Sequence, residues 1–309
     1  LLAAVKSKKE KRAYVSAARN RDISVNMSSK GRTILCPPLS SHHFQFIDTV
    51  FESVGIKVKV LPEGTRESVE LGLKYVNNDV CYPALVVVGQ FIEALKSGEY
   101  DPETTDCLYA QAGRAWRASN YGHVLPRGVA AAGFEKVRVL AINDQKSSDA
   151  EKLKLPFSVL WRSMLALIYG DLLMRLSLRT RPYEINKGET NALYSVWEGK
   201  IRANLKSGKW NVFKSNIKEM VNDFDSVAID GISRPRVAVV GEILVKYHAN
   251  ANEHVIDTIE SEGGEAVVSD LSNFLLYCLS DNVYSHRKLA GNVLSSIFGQ
   301  FGINIIERM

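Results

Sequence analysis

The chain has 309 residues, of which 46% are hydrophobic and 24% are charged, an ordinary composition for a globular protein of about two domains. Its 39 basic and 34 acidic residues leave a net charge of +5, and no basic run is interleaved with aromatic residues, so nucleic acid is not indicated as a partner. The longest apolar stretch, residues 153–178, is interrupted by Arg162, Asp171 and Arg175, so we expect no membrane-spanning helix.

The four cysteines, Cys36, Cys81, Cys107 and Cys278, are widely separated. The start of the chain shows no secretory signal, and a chain of this length builds a core without disulfides. We therefore expect reduced thiols and a cytoplasmic protein. The first residue is Leu1 rather than methionine, which raises the expectation of a longer parent protein.

A strand–helix–strand pattern follows a basic N-terminal arm over residues 1–30. Residues 33–36 form a short apolar run that Pro37 ends, which predicts a buried strand. Residues 43–54 have an apolar helical face, and Gly55 ends that helix. Residues 56–61 then predict a second strand, parallel to the first.

The same order recurs near the other end of the chain. Residues 236–241 predict a strand, 250–262 a helix that Gly263 ends, and 266–269 a second strand. We interpret the recurrence as an internal repeat of two related halves. The intervening residues 151–225 carry long amphipathic runs and are predicted to be helical throughout.

The predicted fold class is therefore α/β, with two Rossmann-like parallel-sheet lobes and a helical segment between them. The predicted domains are an arm over 1–30, a first lobe over 31–150, a helical bridge over 151–232 and a second lobe over 233–309. Further strands are expected at 107–110, 137–142 and 303–306, with a helix over about 117–132 that Pro126 breaks or kinks.

Ligands of open parallel sheets bind at the carboxyl ends of the strands. Cys36 ends the first predicted strand, and a polar loop follows the third. That loop either receives phosphate at a helix start or is simply a capped turn. Its candidate ligand-binding residues are Gly113, Arg114, Arg117, Ser119 and Asn120.

Cys81 directly precedes a helix that begins near Pro83, where the helix dipole lowers the pKa of a thiol and favours an anionic group. The competing interpretation is a small buried residue beside a helix cap. Cys278 carries the same two interpretations in a more apolar setting, and Cys107 is expected in the core. Phosphate-loop, dinucleotide-loop, paired-cysteine and zinc-protease signatures are absent from the sequence.

Several strings resemble the activators of 2-hydroxyacyl-CoA dehydratases, in the long form that carries a dehydratase-subunit-like region after its ATPase part. The resemblance covers roughly residues 32–280. Its main strings are GLKYVNNDVCYPA at 72–84, RASNY at 117–121, RTRPYE at 179–184 and VGEILVKYH at 240–248.

The resemblance implies a [4Fe-4S] cluster between two Rossmann-like domains and ATP-driven transfer of a low-potential electron in anaerobic metabolism. It implies Cys81 and Cys278 as cluster ligands, whereas Trp116 stands where the family usually has a cysteine. Either the cluster is lost, or Cys36, an exogenous ligand or a site shared across a homodimer completes it. ATPase motifs are absent, so this chain is not expected to hydrolyse ATP by itself. The resemblance implies an ATPase activator part or dehydratase subunits as partners.

Three hypotheses follow for the function. The first is an iron–sulfur electron-transfer or dehydratase-like module. The second is a non-catalytic scaffold or regulatory domain that has lost the cluster and packs around Trp116. The third is a module that binds a CoA ester or another small molecule between the two halves, with Arg114, Arg117 and Ser119 contributing.

Overall fold

The protein is a mixed α/β protein, as the sequence predicts, and the computed structural model describes residues 22–24, 31–77, 79–110, 121–142, 151–289 and 293–306. The strands in these ranges are β1 Asp22–Ser24, β2 Thr33–Cys36, β3 Lys57–Val60, β4 Thr105–Ala110, β5 Arg138–Ile142, β6 Glu151–Lys154, β7 Arg236–Val239 and β8 Glu265–Val268. The helices are α1 Ser41–Phe44, α2 Ile47–Glu52, α3 Arg66–Tyr75, α4 Tyr82–Lys96, α5 Tyr121–Ala131, α6 Phe157–Thr180, α7 Glu189–Ser207, α8 Trp210–Asp225, α9 Ile243–Tyr247, α10 Val255–Ser261, α11 Leu271–Leu289 and α12 Val293–Ile306.

The chain divides into two compact units, and neither is continuous in sequence. Unit 1 comprises Leu1–Ser163 together with Ile243–Glu253. Unit 2 comprises Met164–Glu242 and His254–Met309. The domain boundaries expected at residues 30, 150 and 232 stay predictions.

Unit 1 is built on a six-stranded parallel sheet with the strand order β1-β6-β5-β4-β2-β3. β2 pairs with β3 on one side and with β4 on the other, so the direction of winding reverses across β2. In doubly wound folds such a reversal marks the crevice where ligands bind, at the carboxyl ends of the strands. Cys36 is the last residue of β2 at this point of the sheet.

Helix α4 forms much of the core of unit 1. Eleven of its fifteen residues are buried, and Val88, Phe91 and Ile92 are completely inaccessible. A helix that is apolar on every side has to lie inside the protein. Leu244 of α9 joins the same core cluster, although nearly 150 residues separate it from α4 in the chain.

Helices α6, α7 and α8 pack in unit 2 around a buried polar network. The hydroxyl of Tyr169 donates to Asn204 Oδ1 at 2.9 Å and accepts from Asn216 Nδ2 at 3.0 Å. Burial raises the pKa of Tyr169 to about 12, so this phenol is neutral. The network fixes the register of the three helices because each of its groups has a partner.

A two-stranded parallel sheet, β7–β8, completes the second strand–helix–strand unit that the sequence predicts. In the same unit the carboxylate of Asp171 accepts hydrogen bonds from the backbone N–H groups of Leu271, at 2.6 Å, and Ser272, at 3.0 Å. An acidic side chain from α6 therefore caps the N-terminus of α11, the helix that carries Cys278.

Four sequence-based expectations are corrected by the structure. Residues 151–154 form strand β6 rather than a helix, and residues 303–306 lie in helix α12 rather than in a strand. The helix expected over 250–262 is broken at Glu253 and His254, both with φ of 55°. The helix expected over 43–54 is two helices, α1 and α2. Pro126 lies inside α5 without ending it, so the expected kink stays a prediction, and residues 117–120 lie outside the described residues.

Helix α6 has the length and the apolar composition of a membrane span, contrary to the expectation from its charged residues. Leu165, Tyr169 and Leu173 of this helix are fully buried in the structure. That burial is typical of a core helix, which passes the same test of length and composition.

Candidate functional site

The helix pair α3–α4 forms one wall of the candidate site, and two glycines set its spacing. A Cβ atom at Gly89 would lie 1.6 Å from the carbonyl oxygen of Ser68, and one at Gly72 would lie 2.2 Å from that of Leu85. Both contacts are with backbone atoms, which cannot move aside. The two helices therefore approach more closely than any larger residue permits.

The turn between these helices places Cys81 at the start of α4. Cys81 has extended backbone angles, and its carbonyl oxygen accepts from the N–H groups of Ala84, at 3.0 Å, and Leu85, at 3.3 Å. Pro83 occupies the first turn, where its missing N–H costs little. The sulfur of Cys81 makes no capping hydrogen bond and is half-buried, so it remains available to a ligand.

A cleft of about 910 Å³ opens beside Cys81, with the end of α3 and the start of α4 on one side and α5 on the other. Helix α5 approaches closely because Gly128 has no side chain: a Cβ there would lie 2.8 Å from Val88 Cγ1 and 2.9 Å from Val76 Cγ1. The polar side chains that line the cleft are Tyr75, Asn77, Asp79, Cys81, Tyr121, His123 and Arg127.

Positive charge surrounds one side of the cleft. Lys96 Nζ donates to the hydroxyl of Tyr75 at 2.7 Å, and Lys74 Nζ lies 5.4 Å from the centre of the same ring. The hydrogen bond from Lys96, with the charge of Lys74, lowers the pKa of Tyr75 despite some opposing desolvation. The carboxylate of Asp79 also lines the cleft, but the positive charges of Arg127 and of the two lysines beside Tyr75 outnumber it, which favours a ligand that carries negative charge.

The predicted site residues do not all lie at the cleft. Cys81 lines the cleft, and its predicted role as a cluster ligand stays a prediction. Gly113, Arg114, Arg117, Ser119 and Asn120 lie outside the described residues, as does Trp116, so their predicted roles stay predictions. Cys107 is completely buried in β4, which confirms its assignment to the core.

Cys36 has a buried thiol that donates to the carbonyl oxygen of Pro37 at 3.7 Å. Burial raises its pKa to about 12 in the metal-free protein. Its predicted role as a cluster ligand stays a prediction. Cys278 is half-buried on α11 in unit 2, where burial and the charge of Asp281 raise its pKa.

An iron–sulfur cluster of the [4Fe-4S] type takes four ligands, as a rule cysteine thiolates. Within the ranges that the structure describes, no group of three or more histidine, cysteine or acidic side chains is arranged to hold a metal ion. Cys81 is the cysteine that lines the cleft. The described residues of the cleft therefore do not fit a complete cluster site, although they contain one suitable ligand.

Sequence reasoning missed His123 and Arg127. They stand four residues apart on α5, so they share one face of the helix. The sequence contained a partial signal for these two residues, because a helix was predicted over about 117–132, after the third predicted strand. What the sequence lacked was the packing of that face opposite the turn that carries Cys81.

Comparison with known families gives one match. Residues 39–101 match the model of the CoA enzyme activase uncharacterised domain (DUF2229), about a fifth of the chain. Neither the curated proteins nor the solved structures give a match. The match supports a relation to CoA enzyme activases. Its residues include α3, the turn with Cys81 and the whole of α4.

Proposed function

We propose that this chain is an accessory module of a CoA enzyme activase system and that the cleft beside Cys81 is its working site. One observation carries the proposal: the activase-matched residues 39–101 include α3, Cys81 and α4, which together form one wall of the cleft. The part of the chain related to activases is thus the part that presents a half-buried thiol to a ligand.

The proposed setting is ATP-dependent activation of a 2-hydroxyacyl-CoA dehydratase in the cytoplasm of an anaerobically growing cell. The sequence strings outside residues 39–101 support this finer assignment by resemblance. The proposed partners are an ATPase activator part or the subunits of a dehydratase, because the sequence given lacks ATPase motifs.

We further propose that the ligand of the cleft is a negatively charged organic molecule, with a CoA ester as the first candidate. A volume of about 910 Å³ is in the range of clefts that enclose ligands of this size. Arg127 and His123 would contact its acidic groups, and the wall near Tyr75 carries two further positive charges. Cys81 is the cysteine that lines the cleft, so the described residues of the cleft do not hold a cluster by themselves.

The second candidate is electron transfer through a [4Fe-4S] cluster. The position of Cys81 within the activase-matched segment favours it. Cys81 would then be one ligand, and the others would come from Cys278, from residues outside the described ranges or from a second copy of the chain.

Two measurements on the full-length protein separate these candidates. The protein is purified without oxygen, reconstituted with iron and sulfide, and assayed for bound iron, labile sulfide and an electron paramagnetic resonance signal. A near-stoichiometric cluster that Cys81→Ser removes would establish a bound cluster with Cys81 as a ligand, as the second candidate requires. A protein without a cluster would exclude the second candidate and leave ligand binding as the proposed function.

Calorimetric titration with acetyl-CoA and with a 2-hydroxyacyl-CoA tests that proposal directly. Arg127→Ala should weaken binding about tenfold, as expected for loss of one hydrogen bond to a charged group. Arg66→Ala is the matched control, because Arg66 is highly exposed and pairs with Glu70 on the surface of α3. Equal binding by both variants, or no binding by the wild type, would refute the CoA-ester assignment.

A further inference from the structure

Residues 243–253, here called the clasp segment, belong to unit 1 although the chain on both sides of them belongs to unit 2. The segment comprises α9 and a 3-10 turn at Ala249–Asn252. Leu244 and Tyr247 are nearly inaccessible, and the ring of Tyr247 meets that of His43 edge-on, with centroids 6.3 Å apart. The clasp segment is thus a packed part of unit 1.

His248 is the polar centre of the clasp segment, with only 1% of its surface exposed. Its Nε2 faces the backbone N–H of Gly64 at 3.1 Å, and its Nδ1 faces the backbone N–H of Ala251 at 3.1 Å. The carboxylate of Glu63 lies 3.9 Å from Nδ1 and accepts from the N–H of Asn250 at 3.2 Å. Two neighbouring residues, Glu63 and Gly64, therefore fasten the segment.

Both ring nitrogens of His248 face N–H donors, so the protonation state of the ring determines whether these contacts are hydrogen bonds. A neutral imidazole has one acceptor nitrogen and satisfies one of these two donors at a time. The N–H of Ala251 also donates to the carbonyl oxygen of His248 at 3.0 Å, so the ring acceptor matters most to Gly64. An imidazolium has no acceptor nitrogen, so protonation sets N–H against N–H at Gly64. Burial lowers the pKa of His248, and the charge of Glu63 opposes this only in part.

The backbone is strained where the clasp segment ends. Glu253 and His254 both have φ of 55°, a left-handed conformation that residues with a side chain rarely adopt. These two residues also form the boundary between unit 1 and unit 2. Release of the segment would let these two residues relax to more favourable backbone angles. The contacts of the segment with unit 1 therefore have to offset this strain.

We propose that His248, Glu63 and Gly64 form a pH-sensitive clasp that holds residues 243–253 on unit 1 and releases them when His248 is protonated. The other titratable groups in or beside the segment are His43 on α1, Lys246 and Tyr247 on α9, Glu253 at its end and His254 directly after it. Among the described residues, Glu63 supplies the carboxylate within 4 Å of the ring. The inference does not depend on the ligand of the Cys81 cleft.

Hydrogen–deuterium exchange of the full-length protein tests the clasp between pH 7.5 and 5, with correction for intrinsic exchange rates. The pKa of His248 is lower on unit 1 than after release, so the contacts are at full strength above about pH 6.5 and weaken as the pH falls. Protection of residues 243–253 should therefore fall by up to about tenfold per pH unit below about pH 6.5.

Three variants sharpen the test. His248→Gln retains one hydrogen-bond acceptor but does not titrate, so its protection should stay level over the range. Glu63→Gln should deepen the fall, because the docked imidazolium loses its neighbouring negative charge. His254→Gln is the control, since His254 is half-exposed and lies just beyond the segment; it should follow the wild type.

A wild-type profile that stays level would overturn the proposal, as would a fall of the same size in His248→Gln. If His248→Gln does not fold, the comparison of the wild type with Glu63→Gln decides. Identical profiles of those two proteins would then exclude the clasp.

Discussion

Asp106 is a completely buried carboxylate near the amino end of β4, and two arginines bind it. Arg32 Nε donates to Oδ1 at 2.9 Å, and Arg138 donates to Oδ1 at 2.8 Å and to Oδ2 at 2.5 Å. The arginine side chains keep about a fifth of their surface exposed, which limits their own desolvation. This charge cluster joins three strands at the edge of the sheet opposite the ligand edge.

Replacing Asp106 by asparagine should destabilise unit 1 by about 3 kcal/mol, because two partly buried guanidinium groups lose their counter-charge while the shape of the site is unchanged. Urea unfolding followed by circular dichroism measures the effect. Glu70→Gln serves as the comparison, since the Arg66–Glu70 pair is exposed and contributes less than about 0.5 kcal/mol. Similar losses in the free energy of unfolding of the two variants would show that the buried cluster stabilises the protein no more than an exposed ion pair does.

At the scale of elements, the contact between α3 and α4 depends on glycine. Gly89→Ala should destabilise the protein by about 3 kcal/mol or more, because the new methyl group would overlap the carbonyl oxygen of Ser68. The shift would also open the turn at Cys81, so ligand binding should weaken together with the melting temperature.

Gly199→Ala is the matched control for this prediction. Gly199 lies within α7, and no atom approaches the position of its Cβ within 4 Å. Alanine there should raise the stability by up to about 1 kcal/mol through helix propensity alone. A Gly89→Ala variant that melts at or above the wild-type temperature would contradict the packing described for α3 and α4.

Elements with a complete local signal could be predicted from the sequence. β2 is an apolar run that Pro37 ends, and β3 and β5 lie within the stretches predicted as strands over 56–61 and 137–142. Helix α4 begins at Tyr82, one residue before Pro83. β6 was missed because its residues, Glu151–Lys154, are mostly charged, so no apolar run indicates a strand. The break at Glu253 and His254 was missed because no glycine or proline indicates it.

The candidate site was predictable only in part, for a related reason. Cys81 has a local signal in the helix start that follows it, and the structure places it in the cleft. The opposing residues His123 and Arg127 reach the cleft through tertiary packing, which no local pattern encodes. His248 is the extreme case, since Glu63 and Gly64, which contact its ring, lie more than 180 residues away in the sequence.

At the scale of the whole molecule, unit 1 needs a segment from a distant part of the chain. A fragment of residues 31–163 would lack Leu244, Tyr247 and His248, and it would expose the part of the core that they cover. We expect this fragment to melt well below the full-length protein and to bind the dye ANS, which reports exposed apolar surface. Circular dichroism measures both melting temperatures. Equal values for the fragment and the full-length protein would show that unit 1 does not need the clasp segment for its stability.

The discontinuity of unit 1 also sets an order of events during protein synthesis. Roughly 80 residues separate Ser163 from Ile243. At about 5–20 residues per second, the ribosome needs about 4–16 s to make them. Throughout that interval the nascent first sheet waits for Leu244 with an apolar surface uncovered, which is the period when a chaperone that recognises such surfaces would have most to bind.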